Sequence, residues 1–470
     1  MSQTDSDPTL TPNTLAPIAP VAGVVLGAGL GTRMKSTRPK VLHEIAGRAM
    51  INHVLAALGT LNPARQVVVV GPGMEEAIGR AVAPVPAVVQ PDRLGTADAV
   101  KAARAELSDI TDGTVFILFG DTPFIRPDTL RAMAHAREDG AAVVVLGFRA
   151  ADPTGYGRLI VDEVGTLTRI VEHRDASEAE RAIDLCNAGV MAISADRLFD
   201  LVDRVGNDNA KGEYYLTDVI ALARGDGAQC AVIEAAEGEL LGVDSKVDLA
   251  DAEARWQRAR RHHAMAEEGA ILTDPESVWF SWDTVLGQDV TVGQNTVFGP
   301  GVTVEAGAVI KPFCHLEGAH VRAGAEVGPY ARLRPGADIG QAARIGNFVE
   351  VKNAHFADGA KANHLSYIGD ADVGAGANIG AGTITCNYDG YLKHKTIIGP
   401  KAFIGSNSAL VAPVEIGAGA IIGAGSTITQ NVEADALAVS RGKQSTLKGA
   451  GKRVRDTKAA EKARRDAERG

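Results

Sequence analysis

Hydrophobic positions follow different rules in the two halves of the chain. From residue 21 to about 245, short β-branched runs alternate with segments whose apolar residues recur every three or four places. Residues 21–26, 66–70, 114–118 and 141–147 predict strands, and 50–58, 74–82, 96–107 and 128–136 predict the helices that connect them. The alternation predicts an α/β domain with a Rossmann-like, mostly parallel mixed sheet covered by helices, where ligands bind at the carboxyl ends of strands. Residues 247–268 are charged and lack Gly and Pro, which predicts a linker helix over 246–270. The pair His262-His263 on it reads as a solvated face.

After Asp283 the period becomes six. Val292, Phe298, Val304, Ile310 and Leu316 form one register, and Val321, Val327, Leu333, Ile339, Ile345 and Val351 a second after one slip. Val373 and Ile379 follow, then Ile398, Ile404, Leu410, Ile416, Ile422 and Ile428, many of them directly before Gly. Such a period predicts a parallel β-helix of hexapeptide repeats over 271–447, with three short faces per coil and about eight coils. Two segments break the rule: residues 352–368, and residues 385–393, which predict a protruding loop.

Composition changes this picture in three ways. At roughly 150 residues per domain, 470 residues suggest three domains, but a β-helix lengthens by adding coils, so two suffice. Of the 53 glycines, 24 fall between residues 285 and 430, and only 4% of residues are aromatic, as a narrow prism with frequent turns requires. The net charge of -10 argues against broad attraction to nucleic acid or to a membrane surface and leaves small anionic ligands at local sites. Cys186, Cys230, Cys314 and Cys386 lie far apart without CxxC, reading as reduced thiols. The uncharged run from residue 8 to 32 is broken by Pro8, Pro12, Pro17 and Pro20, so residues 1–20 read as a disordered arm and the protein as cytoplasmic. Residues 448–470, nine basic and four acidic with no apolar stripe, read as a basic flexible tail.

The first strand runs into Gly27-Ala28-Gly29-Leu30-Gly31-Thr32-Arg33-Met34, with Pro39-Lys40 close behind. Glycines let a backbone approach phosphate, and a following helix start would offer free N–H groups to it. The loop lacks the third glycine of GxGxxG and the Lys-Ser/Thr of a P-loop, and a glycine turn can serve packing alone. Gly120-Asp121 ends the third strong strand, where a carboxylate can hold Mg²⁺ or merely start a turn before Pro123. Gly157, Glu172 and Asn187 sit in polar insertions suited to sugar hydroxyls. In the repeat, His364 accompanies Arg334, Glu350, Lys352 and Lys393, a set suited to an anionic sugar with an amine to deprotonate.

Leu26 to Met34, Pro39-Lys40, Gln90, Leu94-Gly95-Thr96, Gly120-Asp121, Gly157, Glu172, Asn187 and Gly242-Val243-Asp244 resemble, in order and spacing, nucleotidyltransferases that join a sugar 1-phosphate to a nucleoside triphosphate. Residues 152–158, 170–173 and 212–218 resemble the bacterial UDP-N-acetylglucosamine pyrophosphorylases, and the repeat resembles the acetyltransferase half of the same bifunctional family. The resemblance covers residues 21–446 and implies a uridylyltransferase domain over 21–245. There Arg33 and Lys40 would be catalytic, and Leu26, Gly27, Ala28, Gly29, Lys40, Gln90, Gly95, Thr96, Gly120, Asp121, Gly157, Glu172, Asn187 and Asp244 would bind substrate, with Mg²⁺ on Asp121 and Asp244.

In the acetyltransferase domain the resemblance implies His364 as general base supported by Glu350. Arg334, Lys352, Tyr367, Asn378 and Lys393 would hold the sugar phosphate, and Ala381, Asn387, Tyr388, Ser406, Ala424 and Arg441 would face acetyl-CoA. It further implies a left-handed β-helix, a homotrimer, UTP and acetyl-CoA as co-substrates, and a product that supplies peptidoglycan and lipopolysaccharide synthesis. Leu30 and Asp244 depart from the family, which commonly has Lys and Asn there. Three other readings remain open at this point: another sugar nucleotidyltransferase with a structural β-helix, a non-catalytic scaffold, and an acyltransferase for a different amine.

Overall fold

The structure is a computed structural model that describes residues 18–163, 165–209 and 211–468. The chain divides into two compact units, one running to Ala259 and the other starting at Arg260.

In the first unit the main sheet runs, in spatial order, Gln229–Glu234, Ala141–Arg149, Leu185–Ser194, Thr114–Phe119, Val21–Leu26, Arg65–Val70 and Ala87–Val89. Leu185–Ser194 is antiparallel to both neighbours, and the remaining pairs on this path are parallel, so the sheet is mixed as expected. Successive strand residues point to opposite faces. Val24, Val67, Val115 and Ile117 therefore join one buried cluster, while Val25, Val68, Phe116 and Leu118 join another. Covering both faces explains why these strands read as unbroken apolar runs. Helix Met50–Gly59 closes one face with Ile51, Val54, Leu55 and Leu58, spaced three and four apart.

Element borders differ little from the sequence reading. The helix expected over 96–107 ends at Ala102 and continues, after a short break, as the single 3₁₀ turn Ala105–Leu107. Of the arm expected over 1–20, residues 1–17 lie outside the described residues. Residues 18–20 belong to the body, since Ile18 packs against the core and the Pro20 carbonyl accepts from Thr114 N–H at 2.9 Å.

The linker helix is Lys246–Ala266, shorter than the expected 246–270 because Gly269 turns the chain with φ of +71°. In the second unit its end is fixed by arginines. Arg260 makes two bonds to Glu268, at 2.7 and 3.0 Å, and one to the Thr284 carbonyl at 2.8 Å, and Arg261 reaches Glu276 and the Val278 carbonyl. His262 and His263 are exposed.

The rest of the second unit is a parallel β-helix, consistent with the left-handed form expected. One face stacks ten strands, from Ile271–Leu272 to Leu437–Ala438. That exceeds the expected eight or so coils because the first and last rungs lie outside the periodic run. Val292, Ile310, Val327, Ile345, Ala362, Ile379, Ile404 and Ile422 stack rung on rung inside it. Residues 352–368 require a correction, for they are regular coil. Phe356, Ala362 and Ile368 fill the inward places, each fully buried. The period was hidden because an alanine is weakly apolar and two faces are one residue short, from Val351 to Phe356 and from Ile368 to Val373. The loop expected after residue 385 does protrude, with Tyr391 at its tip 92% exposed.

The tail differs from expectation in being helical over Ala450–Ala467, without one buried side chain. Alanines, straight-chain charged residues and pairs such as Lys452–Asp456 and Arg465–Glu461 favour helix without any apolar stripe. Among the described residues the four cysteines are unpaired, and no helix is long and apolar enough to cross a membrane.

Candidate active sites

At the carboxyl ends of Val21–Leu26 and Thr114–Phe119 lies a cavity of about 600 Å³. The loop after the first strand forms one wall, through Leu26, Gly27, Ala28 and Gly29. Among the described residues the N–H groups of Ala28 to Gly31 donate to no backbone carbonyl, which leaves them available to an anion. The helix start expected after this loop is only the 3₁₀ turn Thr32–Met34, too short for a helix dipole. The anion-binding character therefore rests on the loop and on side chains. Gly31 adopts φ of +58°, and a Cβ there would lie 2.7 Å from that of Lys40, so the glycine lets the Lys40 stem cross the loop.

Lys40 is the centre of the charge arrangement. Its side chain is 12% exposed, and its ammonium pairs with Asp121 and, at 2.8 Å, with Asp244. Arg33 pairs with the other Asp244 oxygen at 2.8 Å. Burial works against the Lys40 charge, but the two carboxylates outweigh it and hold its pKa above the ordinary lysine value. Lys40 is thus a fixed cation.

In the same cavity the Gln90 amide donates to the Gly95 carbonyl at 2.9 Å and to Asp98 at 2.7 Å. Gly95 has φ of +125°, and a Cβ would collide with the Tyr214 backbone. The Thr96 hydroxyl accepts from Leu216 N–H at 2.9 Å, tying this turn to the segment 212–218 that the sequence had singled out. Glu172 and Asn187 line the cavity, and Asn187 N–H donates to the Gly157 carbonyl at 2.8 Å. Burial raises the Glu172 pKa, partly offset by Lys211. Gly120 N–H donates to the Leu26 carbonyl at 2.9 Å, fixing Asp121 beside the loop.

Sequence reasoning missed Arg93, which lines the cavity and donates from Nε to the Ala28 carbonyl at 3.0 Å. Its backbone φ of +48° was not readable from residue type. Lys211, Glu213 and Tyr215 also line the cavity, and the 212–218 motif was the signal for them. Leu30 points away from any such role, 63% exposed.

In the second unit the candidates lie in columns along the coil corners. Backbone bonds link Asn347 to Leu365, His364 to Gly382, Ala381 to Asn407 and Ser406 to Gly425, while Arg441 donates to the Ala424 carbonyl at 2.6 Å. His364 thus shares one edge with Ala381, Ser406 and Ala424. A second set gathers Arg334, Glu350, Lys352 and Tyr367, where Glu350 faces Tyr367 on the next rung. Asn378 pairs with Phe403 on the ten-stranded face. Lys352 and Lys393 are close enough that the second ammonium lowers the pKa of the first, a like-charge pair suited to a phosphate. Asn387 donates to Asp370 at 2.5 Å, and Tyr388 bonds within the protruding loop to the Gly390 carbonyl.

The structure does not join Glu350 to His364. Glu350 is paired with Arg334 at 2.9 Å, and the imidazole instead meets Asn347 at 2.6 Å. A smaller cavity of about 310 Å³ includes Lys393 with Asn353 and Asp370, and lacks His364. Asn347, Asn353 and Asp370 were not anticipated, since asparagine and aspartate recur at coil corners for turn geometry alone.

Comparisons with known proteins agree with this division. Residues 23–183 match the family of MobA-like NTP transferase domains, and residues 395–430 match the bacterial transferase hexapeptide repeat. The chain is similar to the bifunctional protein GlmU of Paramagnetospirillum magneticum, with 57% identity over 95% of this chain and 99% of that one. It is 61% identical to that of Rhodospirillum rubrum over 91% and 96% of the two chains, and 54% identical to that of Sphingopyxis alaskensis over 94% and 98%. Identity of this depth spans both units, so the chain belongs to the bifunctional GlmU family of enzymes, in which a nucleotidyltransferase is joined to a hexapeptide acetyltransferase.

Proposed function

We propose that the second unit acetylates glucosamine 1-phosphate from acetyl-CoA, and that the first then transfers uridylyl from UTP to N-acetylglucosamine 1-phosphate, releasing pyrophosphate. The observation that carries the reading is the convergence of Lys40, Arg33, Asp121 and Asp244 beside the glycine loop, with Gln90, Glu172 and Asn187 lining the same cavity.

In the first site the sugar phosphate oxygen attacks the α-phosphorus in line and pyrophosphate leaves. No covalent enzyme intermediate is needed. Catalysis is positioning plus charge neutralisation, with Lys40 and Arg33 as cations beside the loop. The two carboxylates gathered on the Lys40 ammonium supply hard oxygen donors, the chemistry that fits a magnesium ion. Asp121 and Asp244 would hold it, and when bound it neutralises phosphate charge. Asp at 244 in place of Asn keeps an oxygen donor and adds a charge.

In the second site the glucosamine amine attacks the thioester carbonyl while His364 takes its proton, and the thiolate of coenzyme A leaves. Lys352, Lys393 and Arg334 would hold the sugar phosphate. We further propose a homotrimer in which neighbouring copies complete this exposed site, acting on small molecules in the cytoplasm and feeding cell-wall and lipopolysaccharide synthesis. The test is a crossed pair of variants. Asp121→Ala is expected to abolish UDP-sugar formation and spare acetylation, and His364→Ala to do the reverse. Survival of both activities in either variant would refute the assignments.

A further inference from the structure

We infer that Asn347 is a positioning residue that fixes the tautomer of His364. The inference rests on the reading of His364 as general base. Its basis is a single atom pair: His364 Nδ1 lies 2.6 Å from Asn347 Oδ1. A carboxamide oxygen can only accept, so the ring nitrogen must carry the hydrogen. In the neutral ring the other nitrogen, Nε2, is then left with its lone pair, the form a base needs.

The fold makes this contact obligatory. Asn347 and His364 are partners on adjacent parallel rungs, 17 residues apart. At Gly346 a Cβ would overlap the Asn363 carbonyl, so the two corners approach as closely as backbones can. Leu365 N–H donates to the Asn347 carbonyl at 3.0 Å, and the His364 carbonyl accepts from Ser366 Oγ at 2.9 Å and from Gly382 N–H at 3.3 Å. Phe348 and Leu365, the residues that follow, adopt matching left-handed φ values of +55° and +51°. Two equivalent corners are thus stacked, and the imidazole has one direction in which to place its Nδ1–H. Glu350, engaged with Arg334, makes no such contact. In the proton transfer, Nε2 takes the proton from the attacking amine, and Nδ1–H keeps its bond to Asn347 throughout.

Nitrogen-edited NMR of the imidazole in the full-length protein reads the tautomer directly. A neutral ring protonated at Nδ1 is expected, and one protonated at Nε2 overturns the inference. Asn347→Leu keeps the volume and removes the acceptor, and should lower kcat for acetyl transfer by about 10- to 100-fold, the range typical of lost orienting contacts, with the KM values and uridylyl transfer unchanged. Asn347→Asp, which still accepts, should restore most of kcat. Wild-type kcat in Asn347→Leu overturns the proposal, as does a loss that Asn347→Asp fails to recover while the rungs stay folded. Acetyl transfer that survives His364→Ala overturns the underlying reading instead, whatever tautomer the ring shows.

Discussion

In the first unit the candidate groups come from sequence positions as distant as Gly27 and Asp244 and close around one cavity, with Lys40 and Gln90 largely buried. In the second they line the corners of successive coils along the outside of a prism, and His364, Ser406 and Arg441 are exposed. The difference follows from how each core is closed. A mixed sheet covered on both faces leaves its strand ends as the place where loops can meet. A β-helix spends its interior on stacked aliphatics and can present polar groups only at corners. In the enclosed site burial raises the Glu172 pKa, while at Lys40 two packed carboxylates overcome burial and hold the charge. A corner site shifts its groups through neighbouring charges, as Lys393 does to Lys352.

The largest expected effect tests whether the two sites are separate. Lys40→Ala should lower uridylyl transfer by about 10³-fold, the scale of losing an electrostatic stabiliser, and leave acetyl transfer unchanged. A parallel fall in both would break the comparison. Next comes core stability. Ile345→Ala, at a fully inward rung, should destabilise the second unit by about 3 kcal/mol in denaturant unfolding. Because coils touch only their neighbours, uridylyl transfer should persist at denaturant concentrations where acetyl transfer is lost.

A smaller effect is expected from Glu172→Gln. The lost charged acceptor should raise the KM for the sugar phosphate about tenfold. Its raised pKa means that the folded state disfavours the carboxylate, so Glu172 costs stability once pH has passed both the ordinary and the raised value. Glu172→Gln should therefore raise the Tm at pH 7 and leave it unchanged below pH 4.

The smallest effect concerns a cap. Ser177 and Glu180 form a reciprocal box that helps to lower the Glu180 pKa to about 2. Stability from that shift is present above the ordinary carboxylate value and fades as pH falls from about 4.5 toward 2. In Ser177→Ala, an NMR titration should find Glu180 moved back up toward the ordinary value.

Much of the site was legible because its chemistry sits in short motifs. Gly27 to Gly29 and Asp121 follow strand ends, so locating those strands also located their loops, and Gly95-Thr96 opens the helix expected over 96–107. Arg93 was not legible, because its role depends on a left-handed backbone and on Ala28, 65 residues away. In the repeat, the polar residues at 347, 353 and 370 looked like ordinary corners. Only stacking reveals that Asn347 falls on His364 and that Asp370 collects Asn353 and Asn387.

The amino-acid pattern alone determined the two architectures, since a period of two or three to four and a period of six each admit one way of burying their apolar faces. It also determined which residue types were present for phosphate, metal and amine chemistry. The tertiary structure decided the pairings: that Lys40 bridges two carboxylates, that Glu350 goes to Arg334, and that the imidazole goes to Asn347. Periodicity sets which direction a side chain faces, but a hydrogen bond needs its partner within about 3 Å. A single five-residue face among six-residue ones moves every later partner by one place.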